Sequence, residues 1–157
     1  MNGSKDMCVM ACLAPGEGNV SVIHFDKNSH TITIAAHLSS ISAIALNHDG
    51  TLLATSSTKG QVFRIFSTET GQQIQELRRG TDQADVFSLS FDPVSKYIGC
   101  TSDKGTIHIY SIRSDVSLAA MTQKQFANLN TGPERITIPG VTSSQQVVLA
   151  PALNTPY

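Results

Sequence analysis

The chain has 157 residues, a formal net charge of −1, 15% charged residues and 40% apolar residues. That suffices for a packed core and argues against disorder; near-neutral charge rules out a global basic field that would draw the chain to nucleic acid. Three cysteines (Cys8, Cys12, Cys100) make an odd count without a disulfide framework, which fits a reducing compartment. Cys8 and Cys12 are spaced CxxxC with no second pair to complete a zinc site, so they are expected to be small buried residues, and no metal or cofactor is expected. The N-terminus lacks the basic region and apolar run of a signal peptide, and no stretch approaches the roughly 20 apolar residues that span a bilayer. These features predict a cytosolic protein with membrane contact only at the surface.

Along the chain the dominant signal is a repeat. The segment from Ile44 to Ser57 aligns without a gap with Leu89 to Ser102, and Lys59-Gly60 aligns with Lys104-Gly105, an offset of 45 residues. A period near 40–45 built from short alternating strands is the signature of a β-propeller blade. The first strand predicted, Gly18–Phe25, resembles the third of a preceding blade, and Thr31–Ala35 its fourth. In the next blade, alternation over Ser42–Leu46 gives a strand, Asp49-Gly50 turns into Leu52–Ala54, and Lys59-Gly60 turns into Val62–Phe66. Thr70-Gly71 then turns into Ile74–Leu77. The second copy runs through Val86–Phe91, Tyr97–Cys100 and Thr106–Tyr110. The pattern lapses over residues 113–134, a stretch long enough to be a functional or disordered loop. Arg135–Pro139 reads as the closing strand, and Gln146–Ala150 as one more.

The expected fold class is therefore all-β, a WD-repeat-like propeller of about three blades. Its units are 1–36 (second half of a blade), 37–80 (a complete blade), 81–140 (a complete blade with the loop 113–134) and 141–157 (the start of a further blade and a tail). Propellers usually close with at least four blades, so the count predicts a fragment, a truncated product or a piece that needs a partner.

Between the two full blades lies Leu77-Arg78-Arg79-Gly80. Adjacent side chains in an extended segment point to opposite sides, so Arg78 and Arg79 would serve two separate places. Guanidinium groups bind phosphate through forked donors, which suits paired anion sites; the alternative is a solvated arginine pair in a turn.

These residues, with Ala36-His37, Ser42–Asn47, Gly50-Thr51, Ala54–Ser56, Arg64–Phe66, Gln75–Asp82 and Ser102–His108, resemble the PROPPIN family of seven-bladed, phosphoinositide-binding propellers of autophagy. The leucine before the arginine pair is similar to one subgroup of the WIPI type. The resemblance spans about residues 13–112, with a weaker echo at 135–150. It implies two headgroup sites. The first would comprise Thr55, Ser57, Gly60, Arg64 and Arg78; the second Arg79, Gly80, Ser102, Thr106 and His108. Arginines would supply charge, hydroxyls would donate to phosphate oxygens, and glycines would admit the backbone. For each hydroxyl the alternative is a strand or turn residue satisfying its own backbone. His37 is read as structural. Gln61 departs from the family, which usually has a small hydroxyl residue there.

The resemblance further implies that residues 113–134 form a membrane loop, with Leu118, Met121, Phe126 and Leu129 entering lipid and Arg113 and Lys124 meeting anionic headgroups. The implied ligands are phosphatidylinositol 3-phosphate and the 3,5-bisphosphate. The implied role is that of a scaffold on autophagic (preautophagosomal) or endolysosomal membranes. A lipid-transfer protein is the implied partner, bound in the family through blades this chain lacks. Two rival readings are a WD-repeat-type interaction scaffold without lipid binding and a truncated inactive product. No nucleophile–base pair, phosphate loop or metal cluster points to an enzyme.

Overall fold

The computed structural model describes residues 8–25 and 29–112, together with the backbone of a strand at 135–138. Its regular elements are strands: β1 (Val9–Leu13), β2 (Asn19–His24), β3 (His30–Ala35), β4 (Ile41–Leu46), β5 (Leu52–Ser57), β6 (Val62–Ser67), β7 (Gln73–Arg78), β8 (Val86–Phe91), β9 (Tyr97–Ser102), β10 (Ile107–Ser111) and β11 (Arg135–Ile138). They form three antiparallel sheets ordered β1-β2-β3, β4-β5-β6-β7 and β8-β9-β10-β11. The sheets stand side by side, with β4 against β8 and β1 beside β4, in the manner of consecutive propeller blades.

The middle sheet shows why the period-two pattern yields this stack. Ala54, Phe63, Ile65 and Leu77 pack into one cluster with Val86, Leu89, Ile98, Cys100, Tyr110 and Ile112 of the third sheet. Leu53 and Phe66, cross-strand partners one step out of phase, pack instead with Val20, Val22, Ile34 and Ala36 of the first. Alternation thus sends successive side chains into two different cores. β5 is an interior strand covered on both faces, so five of its six residues are buried. β7 lies at the sheet edge and buries only Leu77.

The 45-residue repeat is visible bond by bond. Asn47 N–H donates to the Leu52 carbonyl, as Asp92 N–H does to the Tyr97 carbonyl. The Asn47 Oδ1 accepts from Leu52 N–H at 2.8 Å, and the Asp92 Oδ1 from Tyr97 N–H at 2.6 Å. Both copies carry a register shift at the same place, Ile41/Ala43 and Val86/Ser88. Gly50, with φ 74°, is matched by Ser95, with φ 58°, the one non-glycine residue of positive φ among the described residues. Ser95 is held in that left-handed turn by its hydroxyl, which accepts from Asn47 Nδ2 at 2.8 Å and links the two sheets.

Two features depart from the sequence reading. The strand β1 was not anticipated; it completes a three-stranded first sheet. Cys8 is exposed and Cys12 half-buried, not the small buried residues expected. The reason is that β1 turns Val9 and Ala11 to the core, which leaves Cys8, Met10 and Cys12 on the alternate positions. Cys100, on β9, is buried. The segment 113–134, with Leu118, Met121, Phe126 and Leu129, and the strand expected at Gln146–Ala150 lie outside the described residues.

Candidate anion-binding sites

The arginine pair straddles the end of β7, and its two members have different surroundings. Arg78 is the last residue of the strand and is exposed, while its carbonyl accepts from the Tyr110 hydroxyl at 3.2 Å. Arg79 is only 5% exposed. Its Nε donates to the Gly60 carbonyl at 2.6 Å and its Nη2 to the Asp82 carbonyl, and its own N–H donates to the Gln61 carbonyl at 2.8 Å. A guanidinium has five N–H donors, so two are committed to carbonyls and the remainder can serve a ligand. Burying such a charge is costly unless it is hydrogen-bonded, and the carbonyls meet that cost before any ligand arrives.

Arg79 sits in a cleft of about 330 Å³ that it lines with Gly80, Thr81, Asp82, Lys104, Thr106 and His108. Four of the five residues assigned to the second site thus line one cleft: Arg79, Gly80, Thr106 and His108. Thr106 and His108 lie two residues apart, and their Oγ1 and Nε2 are 3.0 Å apart. His108 is 2% exposed, stacked on Tyr110. A Cβ placed on Gly80 would meet no atom within 4 Å. Ser102, the fifth, is buried at the end of β9; its Oγ accepts from Lys104 N–H at 3.4 Å, a turn-stabilising contact. Sequence reasoning missed Thr81, Asp82 and Lys104. Their signal was their position, directly after Gly80 and within Ser102–Thr106.

The residues assigned to the first site are more committed to the protein itself. Thr55 is fully buried, with its Oγ1 3.0 Å from His37 Nε2. Ser57 is 4% exposed. Arg64, the cross-strand partner of Thr55, donates from Nε to Glu76 Oε2 at 2.8 Å and from Nη1 to the Ala36 carbonyl at 2.6 Å. Gly60, at φ 60°, gives its carbonyl to Arg79, so a residue of the first set positions the arginine of the second. Gln61 also joins the two, since its Nε2 donates to the Thr81 carbonyl. His37 is held below the ordinary histidine range, first by burial and then by the charge of Arg64, against the opposing effects of Thr55 and Glu76. It remains neutral near pH 7, in keeping with a structural role.

Beneath the cleft, burial pushes the Cys100 thiol up to about 12, although the Arg79 charge pulls the other way. Asp103 is held below the usual carboxylate range. Desolvation opposes this, but hydrogen bonds from Lys104 and Asp85 and the charges of Lys104 and Arg79 outweigh it.

A family model described as PROPPIN matches residues 7–123. The chain belongs to the PROPPIN family. Ectopic P granules protein 6 of Caenorhabditis elegans is 43% identical over 119 residues, which cover 70% of this chain and 31% of the relative. Autophagy-related protein 18 of Saccharomyces cerevisiae is 39% identical over 100 residues, covering 64% of this chain and 20% of the relative. This PROPPIN chain thus spans between about a fifth and a third of the curated relatives it matches. Among solved structures, Kluyveromyces lactis Hsv2 superposes with a TM-score of 0.69 at 21% identity, covering 87% of this chain and 45% of that one. A second Kluyveromyces lactis Hsv2 structure, with complete loop 6CD, gives 0.59 at 26% identity, covering 62% and 32%. The fold is that of part of a β-propeller. No described helix is long and apolar enough to cross a membrane.

Proposed function

We propose that this PROPPIN chain binds the phosphorylated headgroups of phosphoinositides and acts in autophagy at membrane surfaces. The observation that carries the reading is Arg79: a buried guanidinium, fixed by two carbonyls, in a cleft that also presents Thr106 and His108. Preorganisation of this kind removes the ordering cost that an exposed arginine would bear on binding. A charge-assisted hydrogen bond to a phosphate contributes on the order of 1.5–3 kcal/mol. Arg78, exposed at the end of β7, belongs with Thr55, Ser57, Gly60 and Arg64 to the other headgroup site, the first of the two. There Arg64 must share its guanidinium with Glu76, so this site binds more weakly.

Phosphatidylinositol 3-phosphate and the 3,5-bisphosphate are the favoured ligands. Residues 113–134 supply the apolar membrane contact, and the linked weak contacts add through effective concentration. The protein then sits peripherally on autophagic or endolysosomal membranes as a scaffold for other components; the lipid-transfer partner of the family, which docks on blades outside this chain, is not among those it holds alone. The kinship with autophagy-related protein 18 of Saccharomyces cerevisiae supports the autophagy assignment.

The test is flotation of the intact chain on phosphatidylcholine vesicles carrying phosphatidylinositol 3-phosphate or unphosphorylated phosphatidylinositol, beside an Arg78→Thr/Arg79→Thr protein. Selective flotation lost in the double variant is expected. A folded chain that floats on neither, or a double variant that floats as well as its parent, would sink the lipid-binding reading in favour of an interaction scaffold.

A further inference from the structure

The second cleft holds a cation that the two-site pattern does not include. Lys104 lies in the β9–β10 turn, between Ser102 and Thr106, and lines the cleft with Arg79 and His108. Its Nζ is 3.2 Å from Asp103 Oδ2, and the two side chains are 45% and 34% exposed. Asp103 is not free to turn away, because its Oδ1 accepts from Asp85 N–H at 2.9 Å while its own N–H donates to the Asp85 carbonyl at 3.0 Å. The carboxylate is a fixed post and the ammonium, on its four-carbon stem, is the movable member.

Charge around the cleft is balanced between Arg79 and Lys104 on one side and Asp82 and Asp103 on the other. An arriving phosphate upsets that balance. Arg79 already has two donors engaged by carbonyls and is packed in place. Lys104 is the group that can answer, since an exposed ion pair is weak and easily exchanged in water.

We propose that Lys104 is a further phosphate ligand of this cleft, held by Asp103 when the cleft is empty and transferred to the ligand when it is filled. The proposal rests on reading the cleft as a phosphate site. Asp103 then acts as an internal competitor that sets the affinity, and the ligand class is a phosphate monoester such as a phosphorylated inositol.

The test is calorimetric titration of the full chain with soluble inositol 1,3-bisphosphate, and separately with inorganic phosphate. Variants are Lys104→Gln, Lys104→Arg, Asp103→Asn and the Lys104→Gln/Asp103→Asn double, each checked for an unchanged melt. Asparagine keeps an acceptor for Asp85 N–H, so the turn survives. Expected are roughly three- to tenfold weaker binding for Lys104→Gln, near-parental binding for Lys104→Arg, and roughly two- to fivefold tighter binding for Asp103→Asn. The gain from Asp103→Asn must vanish in the double variant.

If it persists there, Asp103 acts by direct repulsion of the ligand and the exchange is refuted. Binding that requires Arg79 but ignores Lys104 overturns this proposal and leaves the headgroup reading standing. No binding by the folded parent overturns both. Lys104-dependent binding of inorganic phosphate as tight as that of the bisphosphate keeps Lys104 as a phosphate ligand and removes the inositol preference.

Discussion

Replacing Gly60 by alanine should damage the fold and the second cleft together. Gly60 has φ 60°, a conformation that costs an L-residue roughly 1–2 kcal/mol. An added Cβ would also lie 1.9 Å from the Ala84 carbonyl oxygen, well inside the 3.0 Å below which real Cβ contacts essentially do not occur. The turn must therefore move away from the 79–84 segment. That movement loosens the bond from Ala84 N–H to the Lys59 carbonyl, 3.3 Å, and the bond from Arg79 Nε to the Gly60 carbonyl, 2.6 Å. With about 1 kcal/mol for a neutral bond and about 1.5–3 for one to a charged group, the loss including the backbone cost is about 3.5–6 kcal/mol. At roughly 2–4 °C per kcal/mol for a chain of this size, the melting midpoint should drop by about 7–24 °C. Thermal and urea denaturation followed by circular dichroism measure this directly. A loss below 1 kcal/mol would refute the claim that the turn and the Arg79 segment are locked as one unit.

Gly80→Ala should behave in the opposite way. Its Cβ meets nothing within 4 Å, so the melt should stay within about 0.5 kcal/mol of the parent. Titration with inositol 1,3-bisphosphate should nonetheless weaken if phosphate approaches the Gly80 backbone. His37, depressed below its ordinary value of 6.5, binds a proton more readily in the unfolded chain. Stability should therefore fall as pH drops from 6.5 toward the folded-state value, and the urea midpoint should follow. The part of that slope due to His37 should disappear in His37→Gln; an identical slope in the variant would contradict it. With its thiol pushed up to about 12, Cys100 should resist a thiol-reactive dye at pH 8, whereas exposed Cys8 reacts at once. Rapid labelling of Cys100 in the folded chain would show that the core beneath the cleft is open.

Much of this was legible in the sequence because a repeat reports twice. The match of Ile44–Ser57 to Leu89–Ser102 identified paired strands, and Asp49-Gly50 and Lys59-Gly60 marked the turns between them. β1 escaped because Val9–Leu13 has no repeat partner, and its cysteines drew attention to metal chemistry before strand alternation. Arg78 and Arg79 stood out as an adjacent pair, but their unequal burial did not. Burial of Arg79 depends on the Gly60 and Asp82 carbonyls, which come from separate segments and have no side-chain signature. Arg64 looked available for a ligand because its ion pair with Glu76 joins adjacent strands, twelve residues apart. Lys104 read as a turn residue; only the fold makes it line one cleft with Arg79.

Two-site headgroup binding is tested most directly by stoichiometry. The intact chain would be titrated with soluble inositol 1,3-bisphosphate, and so would single Arg78→Thr and Arg79→Thr variants shown to melt cooperatively. Two equivalents per chain are expected, with the tighter one lost in Arg79→Thr and the weaker one lost in Arg78→Thr. A folded parent that binds no headgroup, or one whose binding is unchanged in both variants, would contradict the assignment of phosphate recognition to these arginines.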